Sequence, residues 1–169
     1  HVGSSEICTG DLNSDGLPDV IVASAYSVQS IDGYFNLGDG AFSEKQVLLS
    51  ETGIMHYDIA SADLDSDGDD DILIFVLDTL GVDYNTMGWL RNDGGTFSPP
   101  ILIEDDVESQ VELLTVDLDN DGDIDIAMSD DLLVRVYLNT GDGNFTEGVI
   151  VAQNNEHYDV EAADFDGDG

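Results

Sequence analysis

Apolar and polar residues alternate in short bursts along this chain. The segment "HYDIASADL" alternates from His56 to Leu64, and "DILIFVL" follows from Asp71 to Leu77. "MGWLRN" and "TFSPPILIE" continue the pattern from Met87 and Thr96. These stretches are short, rich in β-branched and aromatic residues, and bounded by Gly, Asn and Asp, which predicts strands. No stretch combines a 3.6-residue apolar period with helix caps. Pro99 and Pro100 fall in the last predicted strand of this set. An outer edge strand accepts them there, because its outward N–H groups need no partner.

The pattern repeats. "DLNSDGLPDV" begins at Asp11, "DLDSDGDDDI" at Asp63, "DLDNDGDIDI" at Asp117 and "DFDGDG" at Asp164, at spacings of 52, 54 and 47 residues. Asn36, Asn92 and Asn139 each open a Gly-rich turn that closes on Phe42, Phe97 or Phe145. Four short strands in a period near 50 is the plan of a propeller blade. The expected fold is all-β, a β-propeller of four-stranded blades. The repeats run over about 1–50, 51–104 and 105–152, with a truncated unit at 153–169. Three full blades and the start of a fourth make an arc, since closed rings take roughly four to eight blades. The chain begins inside a repeat and shows no signal peptide, so it is expected to be a piece of something longer.

Charge narrows the possibilities. Asp and Glu number 38 against Lys45, Arg91 and Arg135, for a net charge of −35. Nucleic acid and anionic membrane surfaces both need Lys and Arg, so neither is an expected partner. The hydrophobic fraction of 41% is enough for a core despite the charge. Metal cations are the natural counterions; a salty habitat is a second reading of the same number. Cys8 stands alone, so the chain forms no internal disulfide, and a buried, inert thiol is expected. The run Ile72–Leu77 is far too short to span a bilayer.

The acidic loops have a fixed internal order. Positions one, three and five are Asp11, Asn13 and Asp15; Asp63, Asp65 and Asp67; Asp117, Asp119 and Asp121. Position six is Gly16, Gly68 or Gly122, and position nine is Asp19, Asp71 or Asp125. Alternate side chains can point inward while the glycine lets the backbone turn sharply. The carbonyl of position seven can add one more oxygen. Oxygen ligands at this density suit Ca²⁺, which takes six to eight; Mg²⁺ demands stricter geometry, and zinc wants His or Cys. An EF-hand would carry a bidentate Glu at position twelve between helices. Val22, Ile74 and Met128 stand there between predicted strands, which argues against it and against a helical dockerin-like variant.

The unit "ADLDSDGDDDILIF … WLRNDGGTF" resembles the FG-GAP or VCBS repeat of integrin alpha-chain heads and many secreted bacterial proteins. That resemblance covers essentially the whole chain. It implies a propeller with Ca²⁺ in the loop joining the first two strands of each blade. It carries the ligand positions onto the residues above, with Leu17, Asp69 and Asp123 giving backbone carbonyls. Three full sites follow. The first loop departs from the pattern at Asn13 and Pro18, which lowers its charge. The fourth, Asp164, Asp166 and Asp168, lacks position nine within this chain.

Other features carry less. Glu6, Asp58, Glu112 and Asp159 each lie five residues before a loop, and small residues Ala60, Ala62 and Ala163 follow. They could form a ring of acids along a channel or cap neighbouring backbone. His56 and His157 read as packing residues, and Trp89 and the turn phenylalanines as core. Asn144-Phe145-Thr146 fits a glycosylation sequon. There is no GxSxG, HExxH or phosphate-cradling loop, so no enzyme activity is expected. With so many acids, a carboxylate pair for glycoside cleavage would carry no information. The expected function is a calcium-stabilised, extracellular, non-enzymatic module for adhesion or for structural or filament assembly. Millimolar extracellular Ca²⁺ saturates weak sites, and the cytosol does not. The alternatives are a propeller that binds sugar or protein, or an accessory section of a secreted polysaccharide-active enzyme. Expected partners are further blades of this or another copy and an extracellular protein or glycan.

Overall fold

The structure, a computed structural model, describes residues 5–24, 29–51, 54–78, 85–107, 112–130, 132–153 and 160–163. It is all-β, with three four-stranded antiparallel sheets and one small hairpin among the described residues. Sheet 1 holds β1 (Ser5–Gly10), β2 (Asp19–Ser24), β3 (Gln29–Tyr34) and β6 (Gln46–Glu51), with β4 (Asn36–Gly38) and β5 (Ala41–Phe42) as the hairpin between them. Sheet 2 holds β7 (Ile54–Ala62), β8 (Asp71–Asp78), β9 (Asn85–Leu90) and β10 (Ile101–Val107). Sheet 3 holds β11 (Glu112–Val116), β12 (Asp125–Ser129), β13 (Leu133–Tyr137) and β14 (Val149–Gln153). Each sheet is a meander in chain order. The acidic loop always joins its first two strands.

The apolar runs explain how the sheets stack. In β2, Ile21 and Ala23 are sealed while Val20 and Val22 on the other face are half-buried. In β8 both faces are sealed from Asp71 to Phe75, which is why its run is continuous rather than alternating. Ile72 and Ile74 join Leu12, Ile21, Ala23 and Ile31 in the core between sheets 1 and 2. Leu73 and Phe75 join Leu64, Leu113, Ile126 and Tyr137 in the core between sheets 2 and 3. Full burial of one such side chain contributes about 1.5–3 kcal/mol. A two-stranded hairpin is marginal alone, so stacking holds these sheets together more than strand propensity does.

Three sequence expectations need correction. Pro99 and Pro100 lie before β10, which begins at Ile101; they form the connection, where a missing N–H costs nothing. Phe97 and Phe145 pack against the two cores, but Phe42 is 46% exposed. Phe97 and Phe145 each reach toward the preceding sheet, and no sheet is described before sheet 1. The strand expected to open the fourth unit is absent from Val160–Ala163, while His157, Asp159 and Asp164 lie outside the described residues. Cys8 is half-buried against the first core, and burial, then Asp58 and Asp70, push its thiol up to about 12.

Candidate metal centre

The three complete loops share one hydrogen-bond plan. The position-one carboxylate accepts the N–H groups of positions five and six: Asp11 from Asp15 and Gly16 at 3.0 and 2.8 Å, Asp63 from Asp67 and Gly68 at 3.1 and 3.0 Å, Asp117 from Asp121 and Gly122 at 3.2 and 3.0 Å. This winding needs left-handed backbone at position six, where Gly16, Gly68 and Gly122 have φ of 82°, 101° and 99°. The position-five carboxylates of Asp15, Asp67 and Asp121 accept the position-seven N–H at 2.9, 3.0 and 2.9 Å.

Position nine anchors the loop to the fold. Asp19, Asp71 and Asp125 are fully buried. One oxygen of each accepts the position-two N–H, from Leu12, Leu64 or Leu118, at 3.1, 2.9 and 2.8 Å. The other accepts the N–H of the turn asparagine, Asn36, Asn92 or Asn139, at 2.7, 2.8 and 2.8 Å.

Two loops gather carboxylates tightly enough for a cation. Oxygens of Asp63, Asp65 and Asp71 lie within 4.8 Å of one another, as do those of Asp117, Asp119 and Asp125. Asp65 Oδ1 is buried and has no hydrogen-bond partner among the described residues. An all-oxygen donor set that includes a residue with an orphaned, buried carboxylate oxygen fits a hard divalent cation. The structure does not bring position five into either group. In the first loop Asn13 replaces a carboxylate, and its Oδ1 accepts the Asp15 N–H at 3.1 Å. Asp164, Asp166 and Asp168 lie outside the described residues.

The electrostatics agree with an open charge demand. Burial, then Asp65 and Asp67, push Asp71 up to about 7, against the N–H bonds from Asn92 and Leu64. Burial, then Asp67 and Asp63, raise Asp65, and Arg91 opposes this. Burial raises Asp19, and its loop neighbours add to it. The other two cations are committed elsewhere: Lys45 to Asp32 at 3.0 Å and Arg135 to Asp130 at 2.9 Å.

Sequence reasoning missed the bonds that run from loop to loop. The amide of Asn92 donates to the carbonyl of Leu12, one sheet earlier, at 2.8 Å, and to Asp70 O at 3.0 Å. Asn139 repeats this with Leu64 O and Ile124 O at 2.8 and 3.1 Å. Ser14 Oγ donates to Gly68 O at 2.8 Å and to the Asp69 carboxylate; Ser66 Oγ donates to Asp123 Oδ1 at 3.1 Å. The side chains at position seven thus face the neighbouring loop. Asp11 and Asp70 exchange two bonds of 2.8 and 3.1 Å. The signal was legible in part: position two is Leu in all three complete loops, an apolar residue in the most polar stretch of the repeat.

Among the pre-loop acids, Asp58 caps backbone. It accepts from Leu113 N at 2.6 Å and from Ile59 N at 2.9 Å. Burial raises it to about 6, with Glu6 and Glu112 adding to the shift. Asp159 and His157 lie outside the described residues, as does the side chain of His56.

Stacked antiparallel sheets with oxygen-rich acidic loops at one recurring place define an all-β repeat protein with candidate cation sites. A model of the FG-GAP-like repeat matches residues 11–74 and 117–169, and the chain belongs to that family. No curated protein matches the sequence. Among solved structures, a lectin from Agrocybe aegerita, described as recognising non-reducing terminal N-acetylglucosamine, aligns at 17% identity with a TM-score of 0.38. The alignment covers 90% of this chain and 54% of that one, so the chain spans about half the length of that structure.

Proposed function

We propose that this chain is a calcium-stabilised, extracellular, non-enzymatic module whose three sheets are blades of a β-propeller serving adhesion or structural assembly. The observation that carries the reading is the convergence of Asp63, Asp65 and Asp71 oxygens within 4.8 Å of one another, with a buried Asp65 oxygen that has no hydrogen-bond partner among the described residues. Asp117, Asp119 and Asp125 repeat the arrangement one sheet later. Asp11, Asn13, Asp15 and Asp19 make a weaker first site. The carbonyls of Leu17, Asp69 and Asp123 complete each shell. Binding neutralises carboxylates that otherwise repel, at about 4 kcal/mol per pair 4 Å apart at an effective dielectric of 20. The ion stiffens the loop, and the loop holds its neighbour through Asn92, Asn139, Ser14 and Ser66. Calcium is therefore structural, and millimolar extracellular levels suit weak sites of this kind.

Calorimetric titration of the chelator-treated chain tests this. The expected result is saturable Ca²⁺ binding, Mg²⁺ much weaker, and a melting temperature that rises with Ca²⁺. Heat-silent titration with an unchanged melt would sink the reading.

A further inference from the structure

The contact between the first two acidic loops is not built like the contact between the second and third. At position eight the three complete loops carry Pro18, Asp70 and Ile124. Just before position one they carry Gly10, Ala62 and Val116. Ala62 and Ile124 both pack against the core between sheets 2 and 3, so apolar residues stand at these two places in that junction. Between sheets 1 and 2 the same two places hold Gly10 and Asp70. A Cβ on Gly10 would lie 2.7 Å from Asp70 Oδ2 and would collide with Ser61. Glycine leaves room there for a carboxylate to approach the backbone.

Asp70 holds the first loop at its position-one residue. Its Oδ2 accepts the Asp11 N–H at 2.8 Å, and its own N–H donates to Asp11 O at 3.1 Å. One residue of the second loop thus bonds both backbone polar groups of Asp11. The Asp11 carboxylate is left to organise its own loop through Asp15 N and Gly16 N. Ser14 at position four adds a bond to Gly68 O at 2.8 Å and another to the Asp69 carboxylate. Asp69 and Asp71, on either side of Asp70, are candidate ligands of the second loop. Position one of the first site therefore hangs on the segment that closes the second.

The first loop has the greatest need of such support. Asn13 stands where the other two loops carry Asp65 and Asp119. Among the described residues, no three acids of the first loop converge as they do in the second and third. A loop already held in its binding shape gains affinity, because less ordering is left for the ion to do. We propose that Asp70 is a positioning residue for the first cation site, supplied by the second loop, and that an ion in the second loop tightens the first by holding Asp70. The inference rests on the calcium reading above and names how two of its sites communicate. Coupling of this kind is reciprocal, so filling the first loop tightens the second equally. At the next junction Ile124 offers Asp63 no carboxylate, and loops two and three lack this link.

The position-six glycines report each loop separately, because the N–H of Gly16, Gly68 or Gly122 donates to the position-one carboxylate of its own loop. Ca²⁺ is titrated into the ¹⁵N-labelled, chelator-treated full chain, and a midpoint is read at each of the three amides. In Asp70→Ala the Gly16 midpoint should rise about fivefold or more, the lower end of ordinary coupling between sites, with that of Gly122 unchanged. Asp70→Asn keeps an acceptor oxygen for Asp11 N and should restore most of the Gly16 affinity. Asp65→Asn alters only the second loop, yet it should raise the Gly16 midpoint together with that of Gly68. An unmoved Gly16 midpoint in Asp70→Ala or Asp65→Asn, an equal rise at Gly122, or an Asp70→Asn chain as weak as Asp70→Ala overturns the proposal while leaving the calcium reading intact. Absence of any shift at Gly68 and Gly122 in the parent chain overturns the calcium reading and this inference with it.

Discussion

Leu12, Leu64 and Leu118 occupy position two of successive acidic loops, yet the first two are 0% exposed and the third is 41% exposed. Their local sequences are nearly the same. What differs is the next sheet. Leu12 packs with Ile59, Ile72 and Leu90 of sheet 2, and Leu64 packs with Leu113, Ile126 and Tyr137 of sheet 3. No following sheet is described over Leu118. The opposite side behaves the same way: Phe97 and Phe145 pack on the sheet before them, while Phe42 is 46% exposed. Each repeat thus presents a leucine forward and a phenylalanine backward. Burial of either is a property of the junction, not of the repeat.

The largest test of this contrast is Leu64→Ala. It should cost about 2–5 kcal/mol in denaturant unfolding, as deletion of a sealed core side chain does. Calcium removal comes next. At a hundredfold excess over Kd, each site contributes about 2.7 kcal/mol, so chelator should lower the melting temperature markedly. Asp65→Asn should weaken the second loop's affinity and Asn13→Asp should strengthen the first loop's, both read by titration. Asn139→Ala follows, at about 1–3 kcal/mol, because it strands the buried carbonyl bonds between two loops. Asn36→Ala should cost less, since its amide donates to the exposed Pro18 O at 3.0 Å, within its own sheet, and not to a buried carbonyl of a neighbouring loop among the described residues.

Asp58's share of the pH response of the metal-free chain is smaller. Asp58 sits at about 6 in the fold, above its unfolded value near 3.9. The folded state therefore holds this proton more tightly. Asp58's contribution should improve as pH falls from 7 toward about 4 and stay level below that. Asp58→Asn should flatten this part of the melting profile. Leu118→Ala should have the smallest effect, within about 0.5 kcal/mol. A cost equal to that of Leu64→Ala would break the comparison and place a covering sheet over Leu118.

The alternation around Ile59, the continuous apolar run from Ile72, the position-six glycines and the oxygen spacing of the loops were all legible in the sequence. Strand alternation, left-handed φ at a glycine and inward-pointing alternate side chains are set by backbone geometry within ten residues. The ladder of Asn92 to Leu12 and Asn139 to Leu64 was not, because those bonds join residues 80 and 75 apart. Nor was the failure of position five to join the cluster: Asp67 and Asp121 are drawn to nearby N–H groups by the turn's own winding. Sequence by itself determined what each repeat carries. Only the stacking of sheets decided which leucine is sealed, which phenylalanine is exposed and that the Trp89 N–H is buried without a partner among the described residues, because burial depends on a neighbour that no local pattern names.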